Sequence, residues 1–234
     1  MASANFDELM AALYAQANPT NLAGMARFGI NPEKALGISV YTLRGMVKKV
    51  RDHDLAQRLW DTGIHEARLL ACFCADPALV TPAQMDAWAA DFNSWDVCDQ
   101  ACTSLFDQSP HAWSKALEWP AREEEFVRRG AFALMAGLAW HDKHAPDEQF
   151  LQFFPVIQQY STDKRNFVKK AVNWALRNIG KRSPALMQAA WTAAEQIHAT
   201  GDPTARWIAS DALREFKQKK EKMNDAGSLS HPGI

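Results

Sequence analysis

Apolar residues recur at helical spacing along almost the whole chain, while alternation of period two is nearly absent and β-branched residues never concentrate. Phe6, Leu9, Met10 and Leu13 make one stripe between Phe6 and Ala17, and Leu43, Met46, Val47 and Val50 another between Tyr41 and Val50. Phe126, Val127, Phe132, Leu134, Met135 and Leu138 do the same between Phe126 and Ala139, as do Val168, Val172, Leu176 and Ile179. Thr81-Pro82, Ser109-Pro110, Ser183-Pro184 and Asp202-Pro203 read as helix starts, because proline's missing N–H is not needed in a first turn. The pattern predicts an all-α protein of about ten to twelve helices with short connections.

One local pattern repeats: a small or apolar residue, a polar or basic pair, then apolar residues at helical spacing. It stands at Val97-Cys98-Asp99-Gln100-Ala101, at Val127-Arg128-Arg129-Gly130-Ala131 and at Val168-Lys169-Lys170-Ala171-Val172, with a looser copy at Ala205-Arg206-Trp207-Ile208-Ala209. The Asp202-Pro203 turn before a basic helix start is one that HEAT repeats use. A helix pair cannot bury its apolar face alone and must stack on neighbours, which predicts a curved α-solenoid, an α–α superhelix of HEAT-like helix pairs. An irregular helical bundle is the alternative. In stacked copies Asp99, Arg129 and Lys170 fall at equivalent positions. Trp95 lies one turn before Asp99 and Trp174 one turn after Lys170.

With 234 residues, 47% hydrophobic and 23% charged, the chain has material for a sizeable core, which excludes disorder or a collagen-like body. A single domain over residues 1–216 is expected. A tail over 217–234 starts basic, as a frayed helix end, and turns rich in Gly, Ser and Pro. No apolar run approaches the roughly 20 residues that span a bilayer. The start, Met1 to Glu8, lacks a secretory pattern, so a cytoplasmic protein without a membrane partner is expected. Cys72, Cys74, Cys98 and Cys102 then read as reduced, buried thiols, their spacing matching no common zinc signature. His65, His141 and His144 show no metal-ligand spacing, and no phosphate-loop or dinucleotide fingerprint is present, so neither metal nor cofactor is expected.

The net charge of −1 averages over an uneven distribution. Lys164, Arg165, Lys169, Lys170, Arg177, Lys181 and Arg182 follow Asp163 with no other acid among them, and Arg44, Lys48, Lys49 and Arg51 form a smaller group. Acids gather at Glu123-Glu124-Glu125 and between Asp86 and Asp99. Such runs are often solvated helix faces. The aromatics aligned beside them point instead to nucleic acid, whose phosphates supply most non-specific affinity.

Three segments together resemble the AlkD-type DNA alkylation repair family, the HEAT-like-repeat alkylpurine DNA glycosylases. They are Ser94-Trp95-Asp96-Val97-Cys98-Asp99, Phe126-Val127-Arg128-Arg129-Gly130-Ala131 and Val168-Lys169-Lys170-Ala171-Val172-Asn173-Trp174-Ala175-Leu176-Arg177. The similarity runs from about Met25 to Leu213. It implies duplex DNA carrying alkylated bases as partner, held in a concave face. It also implies hydrolysis of the N-glycosidic bond of cationic N3- or N7-alkylated purines without a deep base pocket. The family's catalytic carboxylate matches Asp99 and its two lesion-side tryptophans match Trp95 and Trp174. Its phosphate-binding arginine matches Arg129, or Arg128 in a register shifted by one. Its N-terminal aromatic falls near Phe28, where the family has Tyr. Lys169, Lys170, Arg177, Lys181, Lys48 and Lys49 are the expected phosphate contacts, and a solenoid that grips duplex with its own two ends can act as a monomer.

The residues suit that chemistry. A cationic base is an activated leaving group, so one carboxylate suffices to stabilise the developing sugar charge and orient a water. Indole faces attract cations, and arginine holds phosphate at two points. Structural roles stay open for the same residues: Trp95 and Trp174 as core aromatics, Asp99 as a helix cap or as Arg129's partner, Arg129 as an inter-repeat salt bridge. A non-catalytic HEAT-like protein that binds damaged or structured DNA would need the basic groove but not Asp99.

Overall fold

The computed structural model describes residues 5–228. Residues 1–4 and 229–234 lie outside the described part, and with them the first residues read for a secretory pattern and the end of the Gly/Ser/Pro-rich tail. The described residues form fourteen α-helices and four short 3-10 turns, more α-helices than expected because several, such as Leu22–Arg27 and Asp147–Leu151, are only one or two turns long. The chain divides into two compact units, residues 1–134 and 135–234.

The first unit contains α1 (Phe6–Ala15), α2 (Leu22–Arg27), α3 (Val40–Met46), α4 (His53–Asp61) and α5 (His65–Cys74). It continues with α6 (Pro82–Ala90), α7 (Trp95–Ser104), α8 (Ala112–Glu118) and most of α9 (Glu125–His141). Side-chain oxygens of Asn5, Ser39, Asp52 and Thr81 accept N–H groups in the first turns of α1, α3, α4 and α6. Ser109-Pro110 is not itself a helix start: α8 begins only at Ala112, after a turn in which Ser109 accepts the His111 N–H.

Four aromatic side chains run through this core. Trp60 stacks on Trp88 at 4.1 Å, Trp88 meets Phe106 at 6.0 Å, and Phe106 meets Trp119 edge-on at 6.2 Å. A buried indole N–H needs an acceptor, and each has one: Asp91 for Trp60, Gln57 for Trp88 and Asp86 for Trp119. Buried Glu66 on α5 accepts the N–H groups of Leu36, Gly37 and Ile38 and so pins the N-terminal segment. Gly37 has φ +79°, and a Cβ there would lie 2.1 Å from the Asn18 carbonyl oxygen, so only glycine fits. All four cysteines are buried and free, as core thiols.

The second unit continues from the end of α9 through α10 (Asp147–Leu151), α11 (Phe153–Gln159), α12 (Asn166–Arg182), α13 (Pro184–Ala199) and α14 (Pro203–Ser228). Ser183 caps α13 through the Leu186 N–H, and Asp202 accepts from Thr204 and Ala205 at the head of α14. A Cβ on Gly180 would lie 2.7 Å from the Phe216 ring and 2.8 Å from the Ala190 Cβ, so its absence lets α12, α13 and α14 close on one another. The boundary expected after residue 216 falls inside α14: Phe216 is fully buried, and Lys219 Nζ donates to the Lys181 carbonyl at 2.7 Å, which ties this stretch to α12. No described helix is long and apolar enough to cross a membrane.

The repeat is visible in the helices. Asp99, Arg129, Lys170 and Trp207 are each the fifth residue of their helix, on α7, α9, α12 and α14.

Candidate nucleic-acid interface

In the first unit, α7 and α9 lie side by side. Cys98 Sγ faces the Phe126 carbonyl at 3.3 Å, and Cys102 Sγ, one turn on, faces the Gly130 carbonyl at 3.4 Å. A Cβ on Gly130 would crowd the Trp119 ring at 3.3 Å, so glycine here makes room for that indole. The register sets Asp99 opposite Arg129. Nε reaches Oδ1 at 2.8 Å and Nη2 reaches Oδ2 at 2.7 Å, the two-point geometry that suits guanidinium and carboxylate. The side chains are 13% and 8% exposed, so this is a largely buried pair. Burial pushes the Asp99 carboxyl above its ordinary value and Asp96 adds to the push, against the pull of Arg129. Desolvation works against the charge of Arg129, but Asp99 more than offsets it and the guanidinium pKa is raised.

Trp95 opens α7 one turn before Asp99. It is half-buried, and its Nε1 donates to the carbonyl of Phe28 at 3.0 Å. Phe28 is 65% exposed, with the Arg27 guanidinium 5.0 Å over its ring. Trp95 is thus tied to Phe28 and Asp99 to Arg129, and the two pairs are joined along α7, where Trp95 and Asp99 lie one turn apart. Behind them, buried Asp96 accepts from Ser94 Oγ at 2.7 Å and from the Val97 N–H at 3.0 Å, and meets His65 Nε2 at 2.9 Å. Burial alone would raise Asp96, but His65 and the hydrogen bonds offset it and its pKa is lowered.

Arg128 is turned elsewhere: its Nε donates to the Pro120 carbonyl at 2.7 Å. Of the two arginines, Arg129 is therefore the one that faces Asp99. Lys48 and Lys49 are exposed in the turn after α3. Arg44 reaches across to α7, donating to Gln100 and Ser104.

In the second unit, Lys170, Trp174, Arg177 and Lys181 lie four, three and four residues apart and so form one stripe along α12. Lys170 is exposed and the other three are half-buried. Lys169, beside the stripe, holds its Nζ 5.1 Å over the Trp207 ring of α14. Arg177 pairs with Asp211 at 3.0 Å and with Glu215, and Lys181 pairs with Glu215 at 2.9 Å. Burial works against the charge on Glu215, but Lys181 and Arg177 outweigh it and its pKa is lowered. The sequence reading missed this neutralisation. Its signal was legible, since Asp211 and Glu215 lie four apart on one helix face.

The comparisons agree with this architecture. Residues 9–222 match the family model described as DNA alkylation repair enzyme. No curated protein matches the chain. One similar solved structure belongs to "a new family of proteins related to the HEAT-like repeat DNA glycosylases with affinity for branched DNA structures". It is 20% identical, with a TM-score of 0.70 over 82% of this chain and 83% of that one, which makes the fold HEAT-like. With the family model matching nearly its whole length, the chain belongs to the DNA alkylation repair enzyme family.

Proposed function

We propose that this protein is a monofunctional DNA glycosylase that releases N3- or N7-alkylated purines from duplex DNA. The observation that carries the proposal is the group on α7 and α9: a carboxylate one turn from a half-buried indole and in two-point contact with an arginine. The bond from C1′ to the cationic base breaks with its electron pair on the base, which leaves neutral. The sugar becomes oxocarbenium-like, Asp99 stabilises that charge and orients a water, and the water adds to C1′ while its proton passes to the Asp99 carboxylate and from there to solvent. A cationic lesion against an indole gains about 0.5–2 kcal/mol per contact, which favours alkylated over neutral bases. Trp95 fills that role. A backbone phosphate competes with Asp99 for Arg129, so bound DNA draws the guanidinium away and leaves the carboxylate to face the sugar. The lysines and arginine of the α12 stripe, with Lys48 and Lys49, hold further phosphates.

The closed pair also favours a second reading. A carboxylate with both oxygens on a guanidinium, and mostly buried, is a good structural clasp, as a non-catalytic DNA-binding protein would need. The similar solved structure comes from a family described by its affinity for branched DNA. Release of methylated purine from alkylated duplex separates the two. The expected result is release by the wild type, lost in Asp99→Asn with duplex binding kept. Normal release by Asp99→Asn removes Asp99 from the chemistry. No release by the wild type, with branched DNA bound more tightly than linear duplex, establishes the second reading.

A further inference from the structure

At the end of the α12 stripe the second unit has a cleft of about 490 Å³, lined by Trp140, Lys143, Asp147, Asn178, Lys181 and Arg182. Its volume is that of a small-ligand site. Trp140 is 63% exposed, more than any other tryptophan among the described residues, whereas Trp60, Trp88 and Trp119 are fully buried. Burying an indole is strongly favourable, so one left at a cleft mouth is a surface waiting for a flat partner. The acid in the cleft is already engaged: Asp147 accepts from Ser183 and faces Arg182 Nε at 3.4 Å. Arg182 is used up as well, donating to the Ala145 carbonyl at 2.6 Å with its guanidinium 4.4 Å over Phe150. The local charge is therefore set by exposed Lys143 and by Lys181, which shares Glu215 with Arg177. Asn178 adds an amide able to donate and to accept.

We propose that this cleft takes one unpaired nucleotide of the bound DNA, its base stacked on Trp140 and its phosphates on Lys143 and Lys181. The inference rests on the nucleic-acid reading above. An apolar peptide would leave these polar groups unmatched, whereas a nucleotide supplies the flat ring and the anion together, and stacking accepts any base because each has a π-face. Lys181 belongs both to the cleft and to the α12 stripe, so a strand following the stripe arrives at the indole.

The test uses the full chain and fluorescence anisotropy with two labelled DNAs, a plain duplex and the same duplex carrying a three-nucleotide single-stranded bulge. The wild type should prefer the bulged DNA. Trp140→Ala should weaken that complex roughly 5- to 100-fold and leave plain duplex within about twofold, and Trp140→Phe should keep most of the preference. Lys143→Gln should lower the salt slope for the bulged DNA by about one. If Trp140→Ala keeps the wild-type ratio between the two DNAs, the cleft assignment is overturned and DNA binding itself stands. Failure of the wild type to bind either DNA overturns the nucleic-acid reading and the cleft with it.

Discussion

The four copies of the repeat carry their charge in two different ways. In the first unit, copies one and two meet as Asp99 and Arg129, a closed and largely buried two-point pair. In the second, Lys170 of copy three is exposed, and the arginine and lysine further along its helix share two acids of α14 with about a third of each cationic side chain in water. The position in the helix is the same, yet the surroundings differ. A buried pair has shed its water and cannot lose one member cheaply. A half-exposed network trades partners with solvent, counterions and phosphate at little cost. The first unit therefore gives up its pair only when another anion takes the place of Asp99 on the arginine, while the second exchanges its partners with solvent.

The sharpest way to break this contrast is Arg129→Leu, which strands a buried carboxylate and should cost about 3–5 kcal/mol in chemical denaturation. Replacing both members by leucine should recover much of that, because no charge is then left alone. A cost below about 1 kcal/mol would put the pair in the same class as surface ion pairs.

The pH dependence of stability sharpens the contrast inside the first unit. Asp96 is lowered below its ordinary 3.8, so its contribution is fully present above that value and is lost as pH falls through the lowered folded value. Asp99 is raised by burial and has the opposite sign: its contribution is complete below 3.8 and is lost as pH rises through the raised folded value. Asp96→Asn should therefore flatten the acid limb of a stability–pH curve. An unchanged acid limb would mean that other carboxylates govern it.

The smallest effect on stability is expected in the second unit. Arg177→Gln should cost about 0–1 kcal/mol, yet lower the salt slope of duplex binding by about one. Destabilisation like that of Arg129→Leu would erase the distinction between the two regions.

Much of the fold was legible because helical spacing and proline-capped starts are local signals. Ser183-Pro184 and Asp202-Pro203 open helices as read, while Ser109-Pro110 does not, because there the hydroxyl serves a turn before the helix. The repeat placed Asp99 and Arg129 in register, and a structural pairing between them was one of the roles the sequence left open. What it could not say is how much water the pair keeps, since burial depends on neighbours distant in the chain. Trp140 carries no signal of its own, because nothing local separates an exposed indole from a core one. The Trp95 contact to the Phe28 carbonyl joins residues 67 apart and is equally silent.

The sequence alone determined helix identity, the repeat and the chemical types at its equivalent positions, because apolar periodicity and capping act over a few residues. The tertiary structure decided which charges are closed, which are shared and which indoles meet water. Desolvation and pairing are properties of the assembled surroundings, and those exist only once the helices have packed.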